Sequence, residues 1–510
     1  MNTAKPKRSV KGPPRRWTFY RESRARGIHC RSRTAAEPDL RSRSMLTSSE
    51  NERSVPVTPP TPGPVQPETV LRSTAAHAQK VARIRRQLAE RDSKRPVSLR
   101  KSTTSHQVPK AGDAKYSDEL IDISDLTAII NIDPVARTCV AEAGVTFADL
   151  VAATLRYRLV PMVVPELKTI TVGGAVAGCS IESMSFVNGG FHDTCTEYEI
   201  ITALGDVLLC TPDNEHRLTF HMMHGTFGTL GILARLTFRL VPAKPFVKVV
   251  YERYGSLADY QAAIARHAGA RAVDFIDGFI HGPRWFVLNL GRFVDEAPYL
   301  NRYDWLKVYY QSTRTRAEDY LRIEDYLFRY DRGVTNVHPK SWPGRLLLGK
   351  FLGSSQLLRL AEKLHAFLPS RRPAITLDVF IPFSRVASFL TWYERELGHF
   401  PLWCVPYRRV NDYPWLAASF YQGLDDQLFL DLAIYGMEQP PDGINYYKVI
   451  EDKLFALGGL KTLISHNYYS EREFWAIWNK ANYDQVKSMS DPQNIFRDLY
   501  TKTCLAAQGR

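Results

Sequence analysis

Two glycine-bearing stretches constrain this chain more than any other feature: Thr171-Val172-Gly173-Gly174-Ala175-Val176-Ala177-Gly178 and Gly225-Thr226-Phe227-Gly228-Thr229-Leu230-Gly231-Ile232. Both are apolar and read as loops. Where side chains are removed, backbone can approach something large and flat, or turn its N–H groups toward phosphate oxygens. Glycines also mark turns and bulges that serve only the fold. Neither stretch is a G-x-G-x-x-G opening a helix, and neither ends in Gly-Lys-Ser/Thr, so the two common nucleotide fingerprints are absent.

The 510 residues are enough for two or three domains, and 44% hydrophobic content is that of a globular protein. The net charge of +14 invites a polyanion partner, but residues 1–45 alone carry +10 of it, so the rest of the chain is nearly balanced. That leader is rich in Arg and Ser and poor in acid. It reads as a transit peptide, a nucleic-acid arm or a membrane-surface tether, or else as sequence upstream of a start at Met45. Residues 46–70, with Pro56, Pro59, Pro60, Pro62, Pro64 and Pro67, read as a disordered linker. No apolar run approaches the ~18 residues that span a bilayer. A cytoplasmic protein with at most peripheral membrane contact is expected. Seven cysteines without a C-x-x-C pair disfavour a disulfide framework and a zinc site, so no metal is expected.

Order is expected from Ala75, where Ala78, Val81, Ile84 and Leu88 recur at helical spacing. A strand at Val97-Ser98-Leu99 leads into Arg100-Lys101-Ser102-Thr103-Thr104-Ser105-His106, two cations and four hydroxyls suited to a pyrophosphate or simply to solvent. Strand-like runs follow at Leu120–Asp122, Ile129–Ile132 and Thr138–Ala141. Thr146 and Asp149 have capping-box spacing for a helix burying Phe147, Leu150, Val151 and Leu155. Pro161 and Pro165 predict an extended approach to Gly173 and Gly174. Thr196–Ile201 and Val207–Cys210 read as a hairpin, and Leu236, Phe238 and Leu240 alternate with Arg235, Thr237 and Arg239 as a half-buried strand.

The run Val163-Val164-Pro165-Glu166-Leu167, then Thr171-Val172-Gly173-Gly174, Gly178 and Ile181-Glu182-Ser183, resembles the flavin-binding core of the Diminuto-like Δ24-sterol reductases. These belong to the FAD-binding PCMH-type, or vanillyl-alcohol-oxidase, superfamily. The resemblance extends from about Ala75 to Cys504. It implies FAD, held non-covalently rather than through His106, and NADPH as a candidate electron donor. It implies cofactor contacts from Arg100, Lys101, Ser102, Thr103, Thr104, Ser105, His106, Pro165, Glu166, Thr171, Val172, Gly173, Gly174, Ala175, Gly178, Ser180, Ser183, Gly228, Gly231, Ile232 and Lys487. The pyrophosphate loop departs from the family pattern, with Ser and Thr where glycines are usual. The implied fold is α+β: a basic leader and linker (1–74), a two-subdomain FAD-binding domain (75–245), an antiparallel-sheet-plus-helices cap over the substrate (246–466), and a closing segment (467–510).

The second half is rich in aromatics. Strands are expected at Val247–Val250, Val273–Phe279, Trp285–Leu290, Ile375–Ile381 and Phe429–Ile434, and helices near Leu257–His267, Gln356–Phe367 and Ser384–Leu397. Tyr303, Trp305, Tyr309, Tyr310, Tyr320, Tyr326, Tyr330 and Trp342 alternate with arginines such as Arg314, Arg329 and Arg332. Interleaved acids make base stacking a poor fit, and no nucleic-acid partner is expected from this run. Glu182, Arg408 and Tyr446 are the candidate proton donors; each also reads as core packing or surface. The expected reaction is reduction of a C=C bond in a sterol-like lipid. An FAD-linked alcohol or sugar oxidase using oxygen, and a non-catalytic flavin-fold protein with a polyanion-binding leader, are the competing readings.

Overall fold

The computed structural model describes residues 67–91, 94–103, 106–108, 110, 113–304, 307–331 and 373–508. The basic leader, Thr104, Ser105, Trp305, Arg332, Trp342 and the run Gln356–Phe367 lie outside the described residues. A helix over Pro67–Ala89 begins ahead of the expected onset at Ala75. Pro67 takes its first position, where a missing N–H costs nothing. Val81, Ile84 and Leu88 pack from this helix onto Val97, Ile121 and Ile232.

The fold mixes helix and sheet. β1 (Val97–Arg100) pairs in parallel with β2 (Glu119–Asp122). A six-stranded antiparallel sheet contains β3 (Ile129–Asp133), β4 (Thr138–Glu142), β5 (Leu159–Pro161), β6 (Cys195–Ile201), β7 (Val207–Cys210) and β8 (Ile232–Pro242). Its order is β3-β4-β8-β6-β7, with β5 on β8. β8 is central because its alternation buries Leu236, Phe238 and Leu240 while β4 and β6 satisfy its backbone on either side. The helix Phe147–Thr154 packs on this sheet, capped by the Thr146 hydroxyl accepting from Asp149 N at 3.2 Å.

A second antiparallel sheet holds β9 (Phe246–Tyr254), β10 (Phe275–Gly282), β11 (Trp285–Val294), β12 (Glu318–Arg322), β13 (Ile375–Pro382), β14 (Leu402–Arg408), β15 (Leu428–Met437) and β16 (Leu460–Lys461). Among the described residues its order is β12-β9-β11-β10-β14-β15-β13-β16. Its period-two alternation sorts side chains onto two faces. Ile276, Ile280, Leu402, Cys404, Leu430 and Leu432 form a core that takes in Ala263 and Ile264 of the helix Leu257–Ala270, Phe389 of Val386–Glu396 and Ile450 of Tyr446–Ala456. Phe279, Trp403, Val405, Tyr407 and Ala433 on the other face join the core of the six-stranded sheet. That shared face sets the site. β14 has no counterpart among the expected strands: it carries Pro406, a residue that removes a ladder donor and argues against a central strand.

The first glycine stretch is not a loop. Val172–Ala177 forms a short helix capped by Thr171, whose hydroxyl accepts from Gly174 N at 3.2 Å. Val172, Ala175 and Val176 supply its buried side. The stiffening of Pro161 and Pro165 ends before it starts. Gly173 is required by packing: a Cβ there would lie 2.7 Å from Ala143 Cβ and 2.9 Å from Ala143 O. Gly231, at φ +142, is crowded by Ile200 and Ile201 and immediately precedes β8.

Gly→Ala inside a helix ordinarily gains about 1 kcal/mol. Gly173→Ala should instead lose about 1–3 kcal/mol through overpacking against Ala143. Thermal melting should show a lower Tm; an unchanged or higher Tm contradicts the packing described.

Candidate active site

The helix Val172–Ala177 delivers Gly178 and Cys179 to a cavity between the two sheets that is partly open to solvent. Gly225 and Phe227 of the second glycine stretch form the adjoining wall. Opposite stand Phe380 of β13, Tyr407 of β14 and Phe429 of β15, all on the shared face. Tyr413, Trp415 and Trp478 extend the aromatic lining. The Asp193 carboxylate positions part of it, accepting from Gly190 N at 2.8 Å, Asn411 Nδ2 at 2.9 Å and Tyr413 OH at 2.9 Å, with Tyr407 OH hydrogen-bonded to Tyr413 OH. An apolar, aromatic, flat-walled space of this kind takes a large rigid ligand.

Beside it, lysines converge without enough counter-charge. Lys502, in the helix Leu499–Thr503, donates to Phe227 O at 2.8 Å. Burial pushes its ammonium pKa down to about 8, helped by Lys101 and Lys115. Burial likewise lowers Lys110 to about 8, with Asp113 opposing; Lys101 is also lowered by the protein around it, with Lys115 adding to this, although its side chain stays open to solvent. Burial also pushes His106 down to about 4, so its ring is neutral, and its Nε2 meets Thr169 Oγ1 at 3.0 Å. Buried cations need an anion, and an ammonium has three donors of which Lys502 spends one on Phe227. A diphosphate fits this donor set, and the apolar cavity next to it fits a tricyclic ring. The residues present therefore suit FAD.

A second unbalanced group has the opposite sign. Burial pushes Glu166 up to about 8, assisted by Asp378, and pushes Asp378 up to about 6. Asp431 is raised well above the carboxylate range by burial and then by Asp378 and Glu166. Tyr435 OH donates to Asp378 Oδ1 at 2.6 Å.

The three candidate proton donors are not brought together, and none lines the cavity. Glu182 is buried in an ion pair, with Arg329 Nη2 at 2.8 Å from its Oε1, and accepts from Ser183 N and Oγ. Arg408 Nε donates to Phe186 O at 3.0 Å at the end of β14. Its neighbour Arg409 reaches the cavity instead. Tyr446 opens the helix Tyr446–Ala456 and donates its OH to Asp442 Oδ2 at 2.7 Å.

The cofactor candidates divide. Gly178 lines the cavity, and Gly173, Gly174 and Ser180 are partly open. Pro165, Val172, Ala175 and Ile232 are buried packing residues, and Thr171 is the helix cap. Gly228 serves a turn at φ +71. Arg100 points outward, 3.8 Å from Asp122. Ser102 is exposed and Thr103 half-buried. Lys487 spends its three donors on Thr229 O (2.8 Å), Asp491 Oδ2 (2.6 Å) and Phe496 O (2.6 Å), which leaves none for a phosphate. It staples the second glycine stretch to the closing segment. Lys110, Lys115, Lys502, Asp378 and Asp431 were not singled out in the sequence, because they come together only through tertiary folding.

The chain matches the family described as FAD binding domain over residues 72–211. The chain therefore carries an FAD-binding domain and is an FAD-dependent oxidoreductase. Among the proteins it resembles are Delta(24)-sterol reductases. It is 24% identical to the Delta(24)-sterol reductase of Homo sapiens, over 75% of this chain and 77% of that protein. It is 23% identical to the Delta(24)-sterol reductase homolog of Caenorhabditis elegans, over 84% and 88%. Cytokinin dehydrogenase 9 of Oryza sativa subsp. japonica is a more distant relative, 29% identical over 70% and 72%. Among the described residues, no helix is long and apolar enough to cross a membrane.

Because Glu166 and Asp378 are raised in the folded protein, the native state holds protons that the unfolded chain has already released. The stability contributed by Glu166 is present at about pH 4, below its unfolded value of 4.5, and is lost as pH rises toward about 8. Glu166→Gln, in the apoprotein, should raise Tm by about 1–3 °C near pH 8.5 and leave it unchanged near pH 4. Melting curves at the two pH values check this; an equal shift at both would contradict it.

Proposed function

We propose that this protein reduces a carbon–carbon double bond of a sterol-like lipid, with FAD as the resident cofactor and NADPH as electron donor. What carries the reading is the adjacency of an unneutralised lysine group to a flat-walled apolar cavity, in a chain that resembles Delta(24)-sterol reductases. Lys101, Lys110 and Lys502 would hold the diphosphate, with Lys115 already paired to Asp113 at 3.6 Å. Gly178 and Gly225 would leave room for the ring edge-on, since neither presents a side chain to the cavity. FAD is taken as non-covalently held. When bound it supplies a ring that accepts a hydride and passes it on.

The second sheet then acts as the cap, its aromatic face excluding water and gripping the substrate's apolar skeleton. Phe380, Tyr407 and Phe429 contribute flat contact area. Asp193 orients Tyr407 and Tyr413 so that their rings keep one position.

Anaerobic reduction with NADPH, followed by reoxidation with a Δ24-unsaturated sterol, tests the reading. The flavin should be bleached by NADPH and its colour restored by the sterol with formation of the saturated product. Restoration by oxygen alone, after reduction by an alcohol or sugar, contradicts it. Lys502→Gln should weaken FAD roughly 10- to 100-fold, as expected for loss of a charge-assisted hydrogen bond, and should flatten the salt dependence of binding. Unchanged affinity in a fluorescence titration would remove Lys502 from the diphosphate site.

A further inference from the structure

The apolar cavity and the acid group share a wall. Phe380 and Phe429 line the cavity; Asp378 and Asp431 stand behind that lining, two positions from them on β13 and β15 and on the same face of the sheet. Asp431 is the residue directly opposite Phe380 in the antiparallel register. Such opposed residues hold their Cβ atoms roughly 4.5–5.5 Å apart. Asp431 is 2% exposed, and its Oδ1 has no hydrogen-bond partner. Glu166 approaches the two aspartates from the segment ahead of the helix Val172–Ala177.

Their surroundings offer little to hold negative charge. Tyr435 gives Asp378 one donor. Arg329, the cation nearest in influence to Glu166, is committed to Glu182 and Asp277. Among the described residues, no lysine or arginine forms an ion pair with any of the three. An unpaired buried carboxylate carries a desolvation cost of several kcal/mol, so three carboxyls with one phenol donor and one backbone N–H, that of Glu166 itself, cannot all be ionised. At neutral pH the group keeps at least one proton, next to a cavity wall.

We propose that the Asp378–Asp431 pair, backed by Glu166 and Tyr435, is the proton source for reducing the substrate double bond in the adjoining cavity. This rests on the reductase reading above. Reduction of C=C adds a hydride, supplied by the reduced flavin, to one carbon and a proton to the other. As that second C–H bond forms, a carboxyl O–H bond breaks and its electron pair stays on oxygen. The carboxylate is then reprotonated from solvent, and its cost of remaining charged in this setting drives the return. Glu182 and Asp277 share the Arg329 guanidinium away from the cavity lining, and Asp193 beside the cavity is held by Gly190 N, Asn411 Nδ2 and Tyr413 OH.

Infrared spectra of the oxidised, substrate-free holoprotein near pH 7 test the proton store directly. A protonated-carboxyl carbonyl band that shifts in D2O is expected, and it should weaken in Asp431→Asn and in Asp378→Asn. In stopped-flow reoxidation of the reduced holoprotein by a Δ24-unsaturated sterol, both variants should be slowed about 100-fold or more, the usual range for a lost general acid, at the same flavin occupancy. No such band in the unsubstituted protein overturns the assignment, as does reoxidation at the unsubstituted rate in both variants. If the unsubstituted protein itself is not reoxidised by the sterol, the reductase reading falls and takes this role with it.

Discussion

A fully buried guanidinium, that of Arg329, fixes the geometry on which the site depends. Its Nη2 lies 2.8 Å from Glu182, on the segment leaving the glycine helix, and 3.3 Å from Asp277 of β10, while Nη1 donates to Tyr326 O at 2.9 Å. Trp403 of β14 adds a hydrogen bond to Asp277 at 3.0 Å, and Tyr330 another. One cation thus joins the element that carries Gly178 to the sheet that carries Phe380, Tyr407 and Phe429. Breaking a buried pair of this kind leaves an uncompensated charge and costs about 3–5 kcal/mol.

Where charge is paired the protein is rigid, and where it is not the protein has work for a ligand or a proton. Lys110 and Lys502 are held with depressed pKa values by burial, with the solvent-open Lys101 lowered beside them, and an anion of at least two charges would restore them. Glu166, Asp378 and Asp431 are raised, and a retained proton relieves them. The space between the sheets is apolar, so a ligand with a charged diphosphate and a flat ring finds both of its chemistries met in one fold. The same reasoning makes Lys487 structural: its ammonium is already satisfied by Thr229, Asp491 and Phe496.

Much of the fold could be read from local pattern. Strong alternation at Leu236, Phe238 and Leu240, the capping spacing of Thr146 and Asp149, and the apolar periodicity of Val81, Ile84 and Leu88 are backbone-scale signals, and the corresponding elements are present. β14 escaped because Pro406 hides a central strand. The helix at Val172–Ala177 escaped because glycines disfavour helix, and here burial of Val172 and Val176 outweighs that preference. The site was legible only in part. Of the glycines implied as cofactor contacts, Gly178 borders the cavity, with Gly225, not among them, beside it, while Gly173 and Gly231 answer to Ala143 and Ile200. Acids separated by hundreds of positions, such as Glu166 and Asp431, give no local sign that they will meet.

The central claim is that these buried lysines and this apolar cavity together form an FAD site. Its most direct measurement is a spectral titration of the purified protein, stripped of any bound flavin, with FAD and with riboflavin. Binding of one FAD per chain is predicted, with riboflavin far weaker because it brings no diphosphate to Lys101 and Lys502. A colourless protein that takes up no FAD, or one that binds riboflavin as tightly as FAD, would contradict it.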